Sequence, residues 1–443
     1  MKTTVSTKSV YLFLFTYLLL AVVAGVYIYG DRTTLDIIRS DGYGYYSYLT
    51  TIFIDVDLSF KTAISSMPHG HTMQSIGLSW YEITGNILNK YTMGVAIMQL
   101  PFFMIAHLYS LVFGASADGY SAPYQIAMYI SAVFYAFVGV LYMYKTLLLF
   151  TKEKIALISL VGIVFGTSLF HYTTFDATFS HVYSYFLVSL FVYKILSYSS
   201  NYYKNLDFFI LGFIFGMIVI TRVPNAILGL LFFYILMSHY HDSSLEKCND
   251  FIKLTSKLMF SSFGALVAIL PLLLYWHYAT GSFLINSYIN EGFNFLAPEL
   301  TNYLFSIRKG LFFWSPLLLV SLFGFLFLVS LQKYSLFVLT LSVFVLHVYI
   351  NASWWSWYFG GSFGNRVVVD ILPVLAIPLA VCLDTMYKKI EIKYLIAFVV
   401  FFCVINILLM YAYWSGYIPF DGTTAKDLLM IPDKIFMDIR SLL

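Results

Sequence analysis

Charge is what this chain has least of: Asp, Glu, Lys and Arg make up 11% of its 443 residues, where a soluble domain carries about a quarter. That scarcity excludes an ordinary soluble globule. With 60% hydrophobic residues and a mean hydropathy of +0.82, the chain falls in the membrane class. Net charge is slight at +3, and no basic run or stacking platform accompanies it, so nucleic acid is excluded as a partner. Cysteine is nearly absent: Cys248, Cys382 and Cys403 fall in one polar loop and two apolar stretches, which implies no disulfide framework. No internal repeat or low-complexity tract is visible either.

What is present is a series of apolar runs, at 10–29, 92–114, 124–149, 155–170, 178–198, 207–221, 224–238, 257–279, 311–331, 335–350, 367–385 and 394–415. The first follows Lys2 and Lys8, is long enough to span a bilayer and lacks a small-residue cleavage site, so it reads as a retained helix and not a signal peptide. If every run crossed, Lys152 and Lys154 would lie outside, against the positive-inside bias. The conflict disappears if 92–114, with Pro101 and His107, enters the membrane edge without crossing. The sequence therefore predicts an all-α, polytopic transmembrane helical bundle of about eleven helices, N-terminus in and C-terminus out. One membrane domain covers 1–415, with an acidic first outer loop carrying interfacial helices over about 30–123. The tail, 416–443, carries Leu428, Leu429, Ile431, Ile435, Phe436, Ile439 and Leu442, the apolar face of a helix lying along the membrane.

This topology gathers the polar chemistry on one face. The first outer loop reads Asp41-Gly42-Tyr43-Gly44-Tyr45 just after a membrane helix. A carboxylate there meets both lipid-borne and water-borne molecules and can act as a general base, or Asp41 can be a plain helix N-cap. His69, His71 and Glu82 follow. Two histidines at i, i+2 lack the third ligand that a zinc site needs, so they read as polar loop residues or as contacts to substrate hydroxyls. Asp176 and His181 sit in the 171–181 stretch, either lining a cavity or forming a hydrated turn. Arg222, between two short apolar pieces, either snorkels or binds an anion such as phosphate. Glu291 lies in a later outer segment. Arg308, Lys309 and Arg366 are cations on the face that the positive-inside bias depletes, and their retention there suggests a bound anion. Trp354, Trp355 and Trp357 precede Gly360-Gly361-Ser362-Phe363-Gly364-Asn365-Arg366. Clustered tryptophans suit stacking on a sugar ring as well as an interfacial belt.

With Asp41 in the first outer loop, the Tyr91–Pro101 segment, the Thr173–His181 turn, Arg308-Lys309-Gly310-Leu311 and the Trp-Trp…Gly-Gly-Ser-Phe-Gly-x-Arg pattern in view, the chain resembles the GT-C membrane glycosyltransferases. That superfamily includes the protein O-mannosyltransferases and the aminoarabinose transferases. The resemblance spans nearly the whole chain. It implies a hexosyltransferase-type enzyme of the bacterial inner membrane, with its active site facing the periplasm. The donor would be a sugar on a polyprenyl phosphate and the acceptor a cell-envelope glycan or glycolipid, such as O-antigen or another lipopolysaccharide part. Asp41 would be the base, Arg308, Lys309, Arg366 and Arg222 would hold the donor phosphate, and a single displacement would invert the anomeric carbon. Tyr45, His69, His71, Glu82, Asp176, His181, Glu291 and the three tryptophans would contact sugar or acceptor. No cofactor is implied, and a divalent metal stays open. A lipid-glycan flippase and an O-antigen polymerase are the alternatives. The first wants paired repeats and mid-membrane charges, and the second a largest outer loop in the later half.

Overall fold

The computed structural model describes residues 7–30, 35–68, 70–198, 204–235, 247–289 and 291–442. Among these, all regular structure is helical except one short hairpin, Leu78–Trp80 paired antiparallel with Ile87–Asn89. Seven helices are long and apolar enough to cross a membrane: Lys8–Tyr29, Gly94–Phe113, Ala122–Leu147, Thr255–Thr280, Tyr334–Ser353, Arg366–Tyr387 and Ile392–Trp414. Shorter apolar helices occupy Ser180–Leu196, Asn205–Thr221, Val223–Ile235 and Pro316–Ser330. The all-α polytopic reading holds. Gly94–Phe113 runs unbroken through Pro101, so length and composition do not set it apart from the helices read as crossings.

Several apolar runs are broken where proline or glycine dictates. Pro316 pushes Ser315 out of helical geometry (φ −136°, ψ 64°), so 311–331 divides into Leu311–Trp314, a 3-10 turn and Leu319–Ser330. Arg222 likewise leaves helical geometry (φ −152°, ψ 107°), and the following piece starts as a 3-10 helix, Val223–Leu231, with Pro224 in its first turn. The 155–170 run stops at Phe165 with Gly166 as its cap, and a separate short helix covers Leu169–Thr174. The stretch expected as an outer loop at 171–177 is therefore helical as far as Thr174. It is also buried throughout, which corrects the hydrated-turn expectation.

The chain forms two compact units, each discontinuous. The Asp41 unit comprises Ala21–Gly139 and Thr173–Glu291, and the Arg308 unit comprises Met1–Leu20, Val140–Tyr172 and Gly292–Leu443. The Asp41 unit is held by a close pair, Asn205–Thr221 against Lys247–Thr280. A Cβ at Gly212 would come 1.8 Å from the Ser261 carbonyl, and one at Gly264 2.1 Å from that of Phe209. Small residues on both helices let the backbones touch, as membrane helix pairs require where lipid removes the hydrophobic drive. The Arg308 unit is organised around Arg366–Tyr387, which is 94% buried over its apolar window. Its neighbour Leu319–Ser330 approaches at Gly324, where a Cβ would lie 1.9 Å from the Pro378 carbonyl.

Candidate active site around Asp41

Asp41 opens the helix Asp41–Thr50 and is half-buried. It is not the N-cap. That position falls to Ser40, whose φ of 49° lies in the region that favours glycine and is sparsely populated by other residues. The first turn therefore carries the carboxylate with its positive dipole end, a favourable place for negative charge. Four residues on, one turn along the same face, stands Tyr45.

The two glycines that flank Tyr43 explain how other elements reach this turn. A Cβ on Gly42 would lie 1.9 Å from Thr178 Oγ1, and one on Gly44 would lie 2.2 Å from the Tyr91 ring and 2.6 Å from the Ile76 carbonyl. Only glycine lets Thr178 and Tyr91 come this near. Tyr91 packs its ring against that of Tyr45, centroids 4.7 Å apart, and its hydroxyl donates to Asp41 Oδ1 at 2.8 Å.

The Tyr91 backbone is clamped at both ends. Its N–H donates to Asn89 Oδ1 (3.0 Å), and its carbonyl accepts from the Tyr48 hydroxyl (2.7 Å). Asn89 in turn donates from Nδ2 to the Gly44 carbonyl (2.8 Å), tying the strand Ile87–Asn89 to the Asp41 helix. Burial, and after it the neighbouring Asp41 carboxylate, push the Tyr91 phenol well above its ordinary value. At neutral pH it is a protonated donor.

Cations surround this core. Tyr45 donates to Ser180 Oγ (3.2 Å), and Arg222 Nη1 donates to the same oxygen (3.2 Å). Lys90 pairs with Glu291 (3.2 Å) and stands over the rings of Tyr91 and Tyr288 at 5.3 and 5.2 Å. Arg39 lies over the Phe175 ring and bonds both its carbonyl (2.8 Å) and Asp176 (3.2 Å). Burial works against the Arg39 charge, but Asp176, Tyr29 and Asp36 together outweigh it and raise the guanidinium further. Asp176 is thus engaged by a cation of the chain, and His181 is buried beside Ser180 at the start of Ser180–Leu196.

The remaining predicted residues lie elsewhere. His69 is outside the described residues. His71, exposed, has its Nδ1 3.3 Å from Ser75 Oγ, and Glu82 is exposed in the hairpin loop. In the Arg308 unit, Arg308 donates from Nε and Nη2 to both oxygens of Asp421 (3.0 and 2.9 Å) and lies over the Tyr358 ring. Arg308 therefore has an anionic partner within the chain. Lys309, 1% exposed, donates to the carbonyls of Ser362 and Phe420. Arg366 begins the 3-10 turn Arg366–Ile371 and stands 5.8 Å from the Phe359 ring. Trp354 packs edge-on against Phe293, Trp355 is 59% exposed, and Trp357 meets Tyr358 edge-on. Among the described residues, no group of three or more His, Cys, Asp or Glu could hold a metal ion.

Tyr91, Lys90, Asn89 and Ser180 went unmarked as site residues in the sequence. Tyr91 stood only at the head of an apolar segment, and Ser180 inside the 171–181 stretch, without a charge to single them out. Gly42 and Gly44 carried the usable signal: glycines two apart at a helix start, where neither turn nor cap needs them.

No family model and no curated protein matches the chain. Among solved structures it is similar to the archaeal oligosaccharyltransferase AglB from Archaeoglobus fulgidus, in complex with an inhibitory peptide and a dolichol-phosphate. The TM-score is 0.49 at 12% identity, over 94% of this chain and 56% of that one. It is also similar to ArnT from Cupriavidus metallidurans bound to undecaprenyl phosphate, with TM-score 0.48 and 12% identity over 97% and 73% of the two chains. The chain thus spans about half the length of the oligosaccharyltransferase. Likeness at this level concerns the fold and assigns no residue.

Proposed function

We propose that the chain is a GT-C-type membrane glycosyltransferase that moves a sugar from a polyprenyl-phosphate donor to a cell-envelope glycan on the periplasmic face of the inner membrane. The observation that carries this reading is the ionisable carboxylate of Asp41 at a helix start, oriented by Tyr91 and sharing one unit with Arg222 on the Tyr45–Ser180 side. Those are the parts a single displacement needs. Asp41 takes the proton from an acceptor hydroxyl as its oxygen bonds to the anomeric carbon, and the bond from that carbon to the lipid phosphate breaks with inversion. The leaving group is already an anion, so no strong general acid is required. A cation fixed in place before reaction stabilises the growing charge, and Arg222 is the residue suited to it, with Lys90 as a second. O-antigen or another lipopolysaccharide part is the acceptor class we favour.

The test is transfer in membranes containing the full chain, supplied with a panel of undecaprenyl-phosphate hexoses. Asp41→Asn is expected to abolish transfer at unchanged protein level, and retained transfer would remove Asp41 from the mechanism. Mass spectrometry of envelope glycans from cells with and without the gene tests the acceptor: no mass difference in any polymer would count against the whole reading.

A further inference from the structure

The Asp41 carboxylate is only as well placed as the turn that starts its helix. That turn is closed by the Tyr43 N–H, which donates to the carbonyls of Ser40 (3.0 Å) and Arg39 (3.2 Å). Ser40 is exposed and sits at φ 49°, ψ −133°, which glycine adopts freely and other residues hold only under constraint. With glycines at 42 and 44, the turn has little helix propensity of its own. If Ser40 relaxed, its carbonyl would turn away from Tyr43. Asp41, as the first helical residue, would then unwind with it.

The constraint comes from outside the helix. Residues 35–38, which lead into the turn, form neither helix nor strand. Ile37 and Ile38 are nevertheless buried, so their backbone groups need partners. Gln125, 7% exposed on the helix Ala122–Leu147, accepts both N–H groups on its amide oxygen, at 2.9 and 2.8 Å. Its Nε2 donates to the Tyr120 carbonyl (3.1 Å), so the surrounding groups fix which way the amide faces. Thr178 Oγ1 donates to the Ile37 carbonyl (3.0 Å) and completes the fastening.

We infer that Gln125 is a positioning residue for Asp41. By clamping the 37–38 backbone it holds Ser40 in its strained conformation and keeps the first turn of the Asp41 helix wound. The inference rests on the reading of Asp41 as the base. The clamp is needed only because residue 40 has a side chain: a glycine there would hold the same backbone without help. That dependence separates a positioning role from plain support of the fold.

The experiment is Gln125→Met in the full chain in membranes, with undecaprenyl-phosphate hexoses as donor probes and native envelope glycan as acceptor. Methionine fills similar space and offers the two N–H groups no amide oxygen. kcat should fall about ten- to a hundredfold, the cost of a misplaced catalytic group, with donor KM within about twofold. Adding Ser40→Gly to that variant should return kcat to within about threefold of Ser40→Gly alone. Tyr135→Phe is the control. It deletes a hydrogen bond made from the same helix, to the Met98 carbonyl (2.8 Å), and should leave kcat within about twofold. If Gln125→Met does not accumulate, Gln125→Asn, whose amide is one methylene shorter, carries the same comparison. Wild-type kcat in the Gln125 variant, with Asp41→Asn inactive, would overturn the inference while leaving the base assignment standing. A loss that Ser40→Gly does not repair, or that Tyr135→Phe reproduces, would also overturn it, as general packing damage. Transfer retained by Asp41→Asn, or absent from the unmodified chain, would bring down the parent reading and this inference with it.

Discussion

Two regions rich in charge and aromatic residues read alike in the sequence and differ in the structure. In the Arg308 unit two of the cations are engaged by the chain: Arg308 grips Asp421 with two hydrogen bonds, and Lys309 donates to the carbonyls of Ser362 and Phe420. The Asp41 unit has ion pairs too, Arg39 with Asp176 and Lys90 with Glu291, but there neutral groups also hold charged ones. Asp41 accepts from a phenol, and Arg222 donates to a serine hydroxyl. A charge opposite a charge neutralises it and builds structure, whereas a charge held by a neutral dipole keeps its reach for a reacting molecule. A cation at a helix edge is therefore an ambiguous sign until its partner is known.

The comparison can be broken most forcefully at Gly44. Gly44→Val puts methyl groups where the Tyr91 ring already stands 2.2 Å from an ideal Cβ. It should lower transfer by about a hundredfold, the cost of misplacing a catalytic group by about an ångström. Overpacking of about 1–3 kcal/mol should appear as a lower melting temperature in detergent. Lys309→Met comes next. If Lys309 is structural, stripping the donor from two buried carbonyls should destabilise the Arg308 unit by about 1–3 kcal/mol in thermal unfolding. An unchanged melt with a raised donor KM would instead move Lys309 to the reactive side of the comparison.

The smallest effect belongs to Asp421. The half-exposed pair with Arg308 should contribute about 0.5–1 kcal/mol at neutral pH, read as the melting difference between the unmodified chain and Asp421→Asn. Burial works to raise the Asp421 carboxyl, but the Arg308 hydrogen bond and charge outweigh it and hold the group below its ordinary value of 3.8. Stability from this source is therefore present above pH 3.8 and lost as pH falls through the lowered folded value. The melting difference should be flat through neutrality and vanish in strong acid. A difference that persists there would show that something other than the carboxylate's charge is responsible.

The apolar runs made the helical, membrane-spanning class legible, because composition and run length alone decide it. Asp41-Gly42-Tyr43-Gly44 was legible as a place of interest but not as a mechanism, since its partners Tyr91 and Thr178 lie far along the chain. Arg308 and Asp421 are 113 residues apart and Arg39 and Asp176 137, distances over which a single sequence carries no pairing signal. The break at Arg222 already showed as the gap between the runs 207–221 and 224–238, whereas the break at Pro316 could have been placed from proline chemistry but was concealed by the length of the 311–331 run. The tail's helix, Ile431–Leu442, matches its apolar periodicity. Its anchoring through Asp438, which accepts from Tyr411 (2.6 Å) and Tyr417, does not follow from periodicity.

The helix that begins at Asp41 reads Asp-Gly-Tyr-Gly-Tyr-Tyr-Ser-Tyr-Leu-Thr. Each of its two glycines disfavours an isolated helix by about 1 kcal/mol relative to alanine, and ten residues is below the length at which a peptide helix sustains itself in water. Such a segment has no stable shape until Thr178 and Tyr91 arrive to fill the space the glycines leave. The placement of the Asp41 carboxylate consequently depends on packing from distant parts of the chain. On the proposed reading, a chain inserted or packed incompletely would hold every residue of the site without an aligned base, and transfer would report on assembly.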